Sequence, residues 1–146
     1  DECKWFGISC AINNTVTELS LPSNRLSGTI PPEIGLAGVG GKLGKLNLAG
    51  NNIKGKLVEE IGTFTHLEVL DLRSNDFAGE IPSEFGKLSK LKSLQLQANE
   101  LSGDMPTDIC TLRTGGVLEE LVADCDSEDP YSSVTCDMAT CCSECY

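Results

Sequence analysis

The strongest constraint on this chain is a pair of residues that keeps returning in register. Asparagine stands at Asn24, Asn51, Asn75 and Asn99, and glycine follows each at Gly28, Gly55, Gly79 and Gly103. Around each pair the apolar residues fall in the order L-x-x-L-x-L-x-x-N-x-L-x-G-x-I-P. Copies start at Val16, Leu43, Leu67 and Leu91, with a degenerate fifth at Leu118, so the steps are 27, 24, 24 and 27 residues. Ile30-Pro31, Ile81-Pro82 and Met105-Pro106 fill the closing turn, and the second copy departs with Leu57-Val58. No single helix or strand period fits such an order. In the stretch from Leu67 to Leu91, LEVLDLRS alternates like a half-buried strand, and the Asn, Gly and Ile-Pro beyond it break the strand and turn the chain. A chain written this way must coil.

Steps of that length lie within the range of the leucine-rich repeat. One coil cannot bury its own leucines, whereas stacked coils share a continuous apolar column. The expected fold is an α/β-type repeat solenoid: a short leucine-rich repeat right-handed coil with a parallel β-sheet on its concave side. Its strands, such as 68–74, lie roughly 4.8 Å apart, and its convex side is 3-10 or irregular. The asparagines Asn24, Asn51, Asn75 and Asn99 form a structural ladder, because a buried amide can satisfy backbone groups that the turn leaves unpaired.

Eight cysteines fall only at the two ends: Cys3 and Cys10, then Cys110, Cys125, Cys136, Cys141, Cys142 and Cys145. Disulfide caps would close the exposed ends of the column, and that usage indicates an oxidising compartment. The expected organisation is one domain: an N-terminal cap over 1–15, four repeats over 16–117, then the fifth repeat and an acidic, Cys-rich cap over 118–146. Cys3 and Cys10 close a tight loop in which Trp5 and Phe6 are placed to plug the column. Six C-terminal cysteines admit about 15 pairings, and excluding a strained bond between the neighbours Cys141 and Cys142 still leaves the connectivity open. Asn13-Asn14-Thr15 is an acceptor sequon, making Asn13 a glycosylation candidate. Extra residues in Gly35–Gly41 and Leu112–Gly116 are expected as loops on the side or back of the coil.

The segment Cys3-x-Trp5-x-Gly7-Ile8-x-Cys10, followed by repeats with the Gly-x-Ile-Pro turn, resembles the plant-type extracellular leucine-rich repeat family, which includes receptor-kinase ectodomains and polygalacturonase-inhibiting proteins. The resemblance covers Cys3 to Leu118. It implies a curved or twisted solenoid that binds proteins, peptides or glycans through exposed strand residues. The six C-terminal cysteines, ending Cys141-Cys142-Ser143-Glu144-Cys145, depart from the simple closing pair of that family, and they open an algal lineage as an alternative.

A net charge of −11 argues against nucleic acid, which requires a basic footprint. No apolar run of about 20 residues exists to cross a membrane. The chain begins at Asp1, as a processed secreted protein or an excised ectodomain would. Catalysis is not expected: His66 is the single histidine, and a short solenoid offers no cleft in which two carboxylates could face each other. Neither a cofactor nor a resident metal is expected. Cys142-x-x-Cys145 lacks a second pair for zinc. Asp124-x-Asp126-x-Glu128-Asp129 lacks the Gly and the bidentate Glu of a calcium loop.

Alternation along the strands turns one set of side chains toward solvent on the concave face. The candidate binding residues are Lys45, Asn47, Val69, Asp71, Arg73, Ser93, Gln95 and Gln97, with Glu18, Ser20, Pro22, Ala49, Glu120, Val122 and Asp124 at the margins. Such a face measures of order 300 Å², against about 800 Å² per partner in a standard interface, and only Arg73 belongs to the residue types enriched in hot spots. The expected function is a secreted or cell-surface module, or one in an oxidising organelle lumen, that recognises a protein or peptide within a larger receptor or assembly. The alternatives are an inhibitor of a secreted polysaccharide hydrolase and a structural or ice-adsorbing protein. For the last, the ladder Pro22, Ala49, Arg73, Gln97, Asp124 is irregular.

Overall fold

The computed structural model describes residues 2–35, 41–125, 134–136 and 141–145. In chain order the strands are β1 (Ile8–Cys10), β2 (Val16–Ser20), β3 (Ser27–Gly28), β4 (Lys45–Asn47), β5 (Asn52–Gly55), β6 (Val69–Asp71) and β7 (Asp76–Gly79). There follow β8 (Ser93–Gln95), β9 (Glu100–Leu101), β10 (Gly103–Asp104), helix α1 (Thr107–Thr114), β11 (Glu120–Ala123), β12 (Val134–Thr135) and β13 (Glu144–Cys145). The main sheet runs β1-β2-β4-β6-β8-β11-β13. Its members pair in parallel except β1, which runs antiparallel to β2.

Register across this sheet places Leu19, Leu46, Leu70, Leu94 and Leu121 in one row. The last four are fully buried, which is the expected shared column. It continues through Leu48, Leu72 and Leu96 and through Phe64, Phe77 and Phe85 toward the convex side. There, short 3-10 turns over Pro32–Gly35, Glu59–Thr63 and Ser83–Lys87 close the first three coils. The fourth coil carries extra residues at Leu112–Gly116, and instead of a loop they complete helix α1. The first insertion lies largely outside the described residues.

A second sheet, β3-β5-β7-β9, was not expected from the repeat pattern. It forms where the chain leaves the Asn turn and stays extended up to the repeated glycine. Gly28, Gly55, Gly79 and Gly103 all have positive φ, from +85° to +97°. A side chain at that φ is strained, so the kink explains glycine in every repeat; it ends the strand in the first three copies, and in the fourth Gly103 opens β10.

The Asn rungs tie consecutive coils. Asn75 Nδ2 donates to the carbonyls of Leu48 (3.0 Å), Leu72 (3.1 Å) and Arg73 (3.2 Å), while its Oδ1 accepts from the Ile53 N–H (3.1 Å). Asn51 and Asn99 repeat this geometry. Asn24 does not. It is exposed, and only its backbone N–H takes part, donating to Asn51 Oδ1 at 2.9 Å. The expectation of four rungs is corrected to three, because the first coil has no preceding repeat for Asn24 to bind. At the other end Asp124 closes the ladder with its carboxylate, which accepts from the N–H groups of Ala98 (2.7 Å) and Asn99 (2.9 Å).

Disulfides lock both extremities. Cys3 pairs with Cys10, Cys110 with Cys141, Cys125 with Cys145 and Cys136 with Cys142. Cys142 and Cys145, the pair a zinc knuckle would use, sit in different bonds. The expected plug is corrected: Trp5 is 64% and Phe6 86% exposed. Gly7 causes this. It has φ +79°, and a Cβ there would sit 2.2 Å from the Ser20 carbonyl oxygen, so the turn presses its backbone onto β2 and directs Trp5 and Phe6 away. Val16, Leu19, Leu21, Leu26 and Ile34 cover that end of the column, and all remain partly exposed.

Candidate binding face on the concave sheet

Three rows of side chains cross the outer face of the main sheet. Register aligns Glu18, Lys45, Val69, Ser93 and Glu120 in the first row, and Ser20, Asn47, Asp71, Gln95 and Val122 in the second. Ala49, Arg73, Gln97 and Asp124 continue just beyond the strands. Neighbours within a row and between successive rows satisfy one another. Lys45 Nζ lies 2.9 Å from Glu18 Oε1, Ser93 Oγ donates to Glu120 Oε2 at 2.9 Å, and Asn47 Oδ1 accepts from the Ala49 N–H at 3.0 Å.

The central row departs from expectation. Asp71 and Gln95 were expected to face solvent, as were Ala49 and Val122, yet all four are buried. Strands about 4.8 Å apart leave little room between side chains of one row, and the third row folds over the second. Arg73 Nε sits 3.5 Å from Asp71 Oδ2, and Gln97 Nε2 donates to Gln95 Oε1 at 2.8 Å. Burial pushes the Asp71 carboxyl above its ordinary value, and the adjacent Arg73 charge and N–H offset that only in part. Gln97 Oε1 is buried with no hydrogen-bond partner among the described residues. What remains accessible is Arg73, which is exposed, and the partly exposed Lys45, Asn47, Val69, Ser93 and Gln97.

Such a surface offers one exposed guanidinium, paired through its Nε with Asp71, together with small hydrogen-bonding groups and little apolar area. His66 lies beside the Thr65 hydroxyl (3.4 Å). Asp124, weighed above as part of a calcium loop, has its carboxylate committed to backbone N–H groups; Asp126, Glu128 and Asp129 lie outside the described residues. Asn13 is exposed, its Oδ1 accepting from the Thr15 N–H at 3.3 Å. Sequence reasoning missed a second concavity of about 510 Å³ between the second sheet and the convex turns, whose lining includes Leu57, Ile81 and Pro106 with Glu59, Glu80, Glu84 and Asp104. Its signal was legible: acidic residues recur beside the Ile-Pro turn in successive copies.

The family profile described as Leucine Rich Repeat matches residues 15–36, 42–64, 66–88 and 90–112, more than half of the chain. No curated protein sequence matches. Among solved structures, the BIR3–SERK2 complex from Arabidopsis thaliana is similar at 29% identity and a TM-score of 0.76, over 92% of this chain and 78% of that one. The ectodomain of the receptor kinase SOBIR1 from Arabidopsis thaliana is 35% identical with a TM-score of 0.71, over 84% of this chain and 68% of that one. The plant peptide hormone receptor RGFR1 in complex with RGF2 is 31% identical with a TM-score of 0.67, over 84% of this chain but only 21% of the receptor. Among the described residues no helix is long and apolar enough to cross a membrane. Repeat, registered sheet and disulfide-closed ends converge on one assignment: the chain belongs to the leucine-rich repeat family, in the form taken by plant receptor-kinase ectodomains.

Proposed function

We propose that this chain is an extracellular or cell-surface recognition module that binds a protein or peptide as one contributor to a larger receptor or assembly. The observation that carries the reading is the match over 92% of its length to the BIR3–SERK2 complex, supported by RGFR1, described as a peptide hormone receptor in complex with RGF2. The disulfides suit an oxidising, extracellular setting. The working surface in this reading is the accessible part of the concave sheet: Arg73 at the centre, with Lys45, Asn47, Val69, Ser93 and Gln97 around it. Asp71 and Gln95 hold Arg73 and Gln97 in place from beneath.

The size of the face supports joint action. It is of order 300 Å², well below the roughly 800 Å² per partner of a stable interface, so binding by this face alone is weak and a second surface must share the ligand. Cross-linking and pull-down from the native extracellular fraction test the reading, comparing wild type with Arg73→Glu. Recovery of a partner by wild type and its loss with the variant supports it. Equal recovery by both removes the concave face from the function, and recovery of no partner removes the recognition reading.

A further inference from the structure

The turn that joins β1 to β2 carries two polar side chains for which the fold has little use. Residues 11–15 close this hairpin through the backbone. The Ala11 N–H donates to the Thr15 carbonyl at 2.9 Å, and the Asn14 N–H donates to the Ala11 carbonyl at 2.9 Å. Asn14 supplies the left-handed conformation of the turn, at φ +60°, which asparagine tolerates better than most residues. Asn13 and Thr15 contribute less. Asn13 is exposed; its Oδ1 accepts the 3.3 Å contact from the Thr15 N–H, and its Nδ2 makes no hydrogen bond among the described residues. The hydroxyl of the partly exposed Thr15 makes none among them either. The ladder residues Asn51, Asn75 and Asn99 differ, since each commits its Nδ2 to backbone carbonyls.

Asn13-Asn14-Thr15 is also the one place in the 146 residues where Ser or Thr stands two positions after an asparagine; the other seven asparagines lack it. An N-glycosylation acceptor needs this triplet with a non-proline residue in the middle, on a surface turn of a secreted chain. The turn is exposed, and among the described residues no cysteine is free, as an oxidising secretory route would leave them. Position also suits a bulky group. The turn lies at the edge of the main sheet where the parallel strands begin, whereas Arg73 follows the end of β6, two strands along and at the opposite edge.

We propose that Asn13 carries an N-linked oligosaccharide, transferred in the secretory compartment from a lipid diphosphate donor. Asn13 Nδ2 attacks the anomeric carbon of the donor sugar. The N–C bond forms as the C–O bond to phosphate breaks, the lipid diphosphate leaves with that electron pair, and the amide gives up one proton. Nothing is oxidised or reduced. Thr15 is the residue that the transferring enzyme reads, which accounts for a hydroxyl without a contact in the fold. The proposal rests on the extracellular setting of the proposed function and not on the concave face; attached at the opposite edge, the glycan leaves Arg73 open.

Secretion of the 146-residue chain from eukaryotic cells tests it, with intact-mass and peptide mass spectrometry as readouts. Wild type should exceed the 15.5 kDa of the bare chain. Treatment with an amidase that cleaves the glycan–asparagine bond should return it to that mass, with Asn13 converted to aspartate in the tryptic peptide 5–25. Thr15→Ala, which keeps Asn13 itself, and Asn13→Gln should both abolish the added mass, and Thr15→Ser should retain it. Secreted wild type at 15.5 kDa with every thiol oxidised would overturn the glycan and leave the extracellular reading standing. Wild type recovered with free thiols would overturn both. Added mass that survives Thr15→Ala would place the modification elsewhere and overturn the assignment to Asn13.

Discussion

Replacing Asn75 by Ala removes four hydrogen bonds, but the cost follows from what each lost partner retains. The Leu48 carbonyl keeps Asn51 Nδ2 at 2.7 Å, the Leu72 carbonyl keeps Asn99 Nδ2 at 3.1 Å, and the Arg73 carbonyl keeps the Gly50 N–H at 3.0 Å. Only the Ile53 N–H, whose hydrogen bond to Asn75 is buried, is left without its side-chain acceptor. One orphaned buried donor costs roughly 1–3 kcal/mol, so Asn75→Ala should destabilise by about 2 kcal/mol and lower the melting temperature by about 4–8 °C. Summing four bonds would give about twice that energy. Asn24→Ala should stay within about 0.5 kcal/mol of wild type, like other exposed substitutions. Combining Asn51→Ala with Asn75→Ala strips the Leu48 carbonyl of both amide donors, so the pair should exceed the sum of the singles by about 1 kcal/mol. Urea and thermal melts followed by far-UV circular dichroism measure wild type, the three single variants and the double variant. A single Asn75→Ala as mild as Asn24→Ala, or a strictly additive pair, would refute the shared-rung account.

Asp71→Asn should stabilise the protein at neutral pH. The folded-state pKa is raised by burial, so the stability this group contributes is fully present at pH below its unfolded value and is lost as pH rises through the folded one; the gain from Asn should vanish in melts recorded below the ordinary carboxylate range. Asp124→Ala leaves the N–H groups of Ala98 and Asn99 without their acceptor and should cost roughly 1–3 kcal/mol, whereas added calcium should not shift the wild-type melting temperature. Replacing Cys110 and Cys141 by Ser opens a closure of sequence separation 31 and should cost about 2–4 kcal/mol. In hydrogen exchange the loss of protection should begin at β11 and β13, because the coils at the centre of the stack keep a neighbour on either side.

The coil, its column and its main sheet were legible because each depends on one-dimensional spacing. Leu46, Leu70 and Leu94 recur at equal intervals, and equal intervals become one row once strands align in register. The second sheet escaped for a related reason. Each of its strands spans only two to four residues, too short for an alternation to be counted, and the glycine that ends it reads as a turn signal. Cysteine spacing showed that the ends would be locked but not how, since the pairing depends on where α1 and β13 sit relative to one another. Trp5 and Phe6 were misplaced because an aromatic near an open apolar end is read as its cover. Only the close approach of Gly7 to Ser20 shows that the turn faces the other way.

The candidate face was harder to read than the core, because strand alternation gives the direction of a side chain and not its exposure. Asp71 and Arg73 lie two residues apart and point to the same side, yet one is buried beneath the other. The reason is the row beyond it: Arg73 folds onto Asp71 and Gln97 onto Gln95, whereas Asn47 has only Ala49 beyond it and stays partly exposed. The accessible chemistry of this face is therefore set by which third-row side chains fold over their neighbours as much as by sign of charge. A partner that touches Arg73, Lys45 and Gln97 would gain polar specificity and little buried apolar area, and polar contacts at an exposed rim contribute chiefly to orientation and encounter. Most of the binding energy in any stable complex must then come from apolar surface elsewhere. Among the described residues the large exposed apolar side chains are Trp5, Phe6, Ile12 and Val117, none of them on the outer face of the concave sheet.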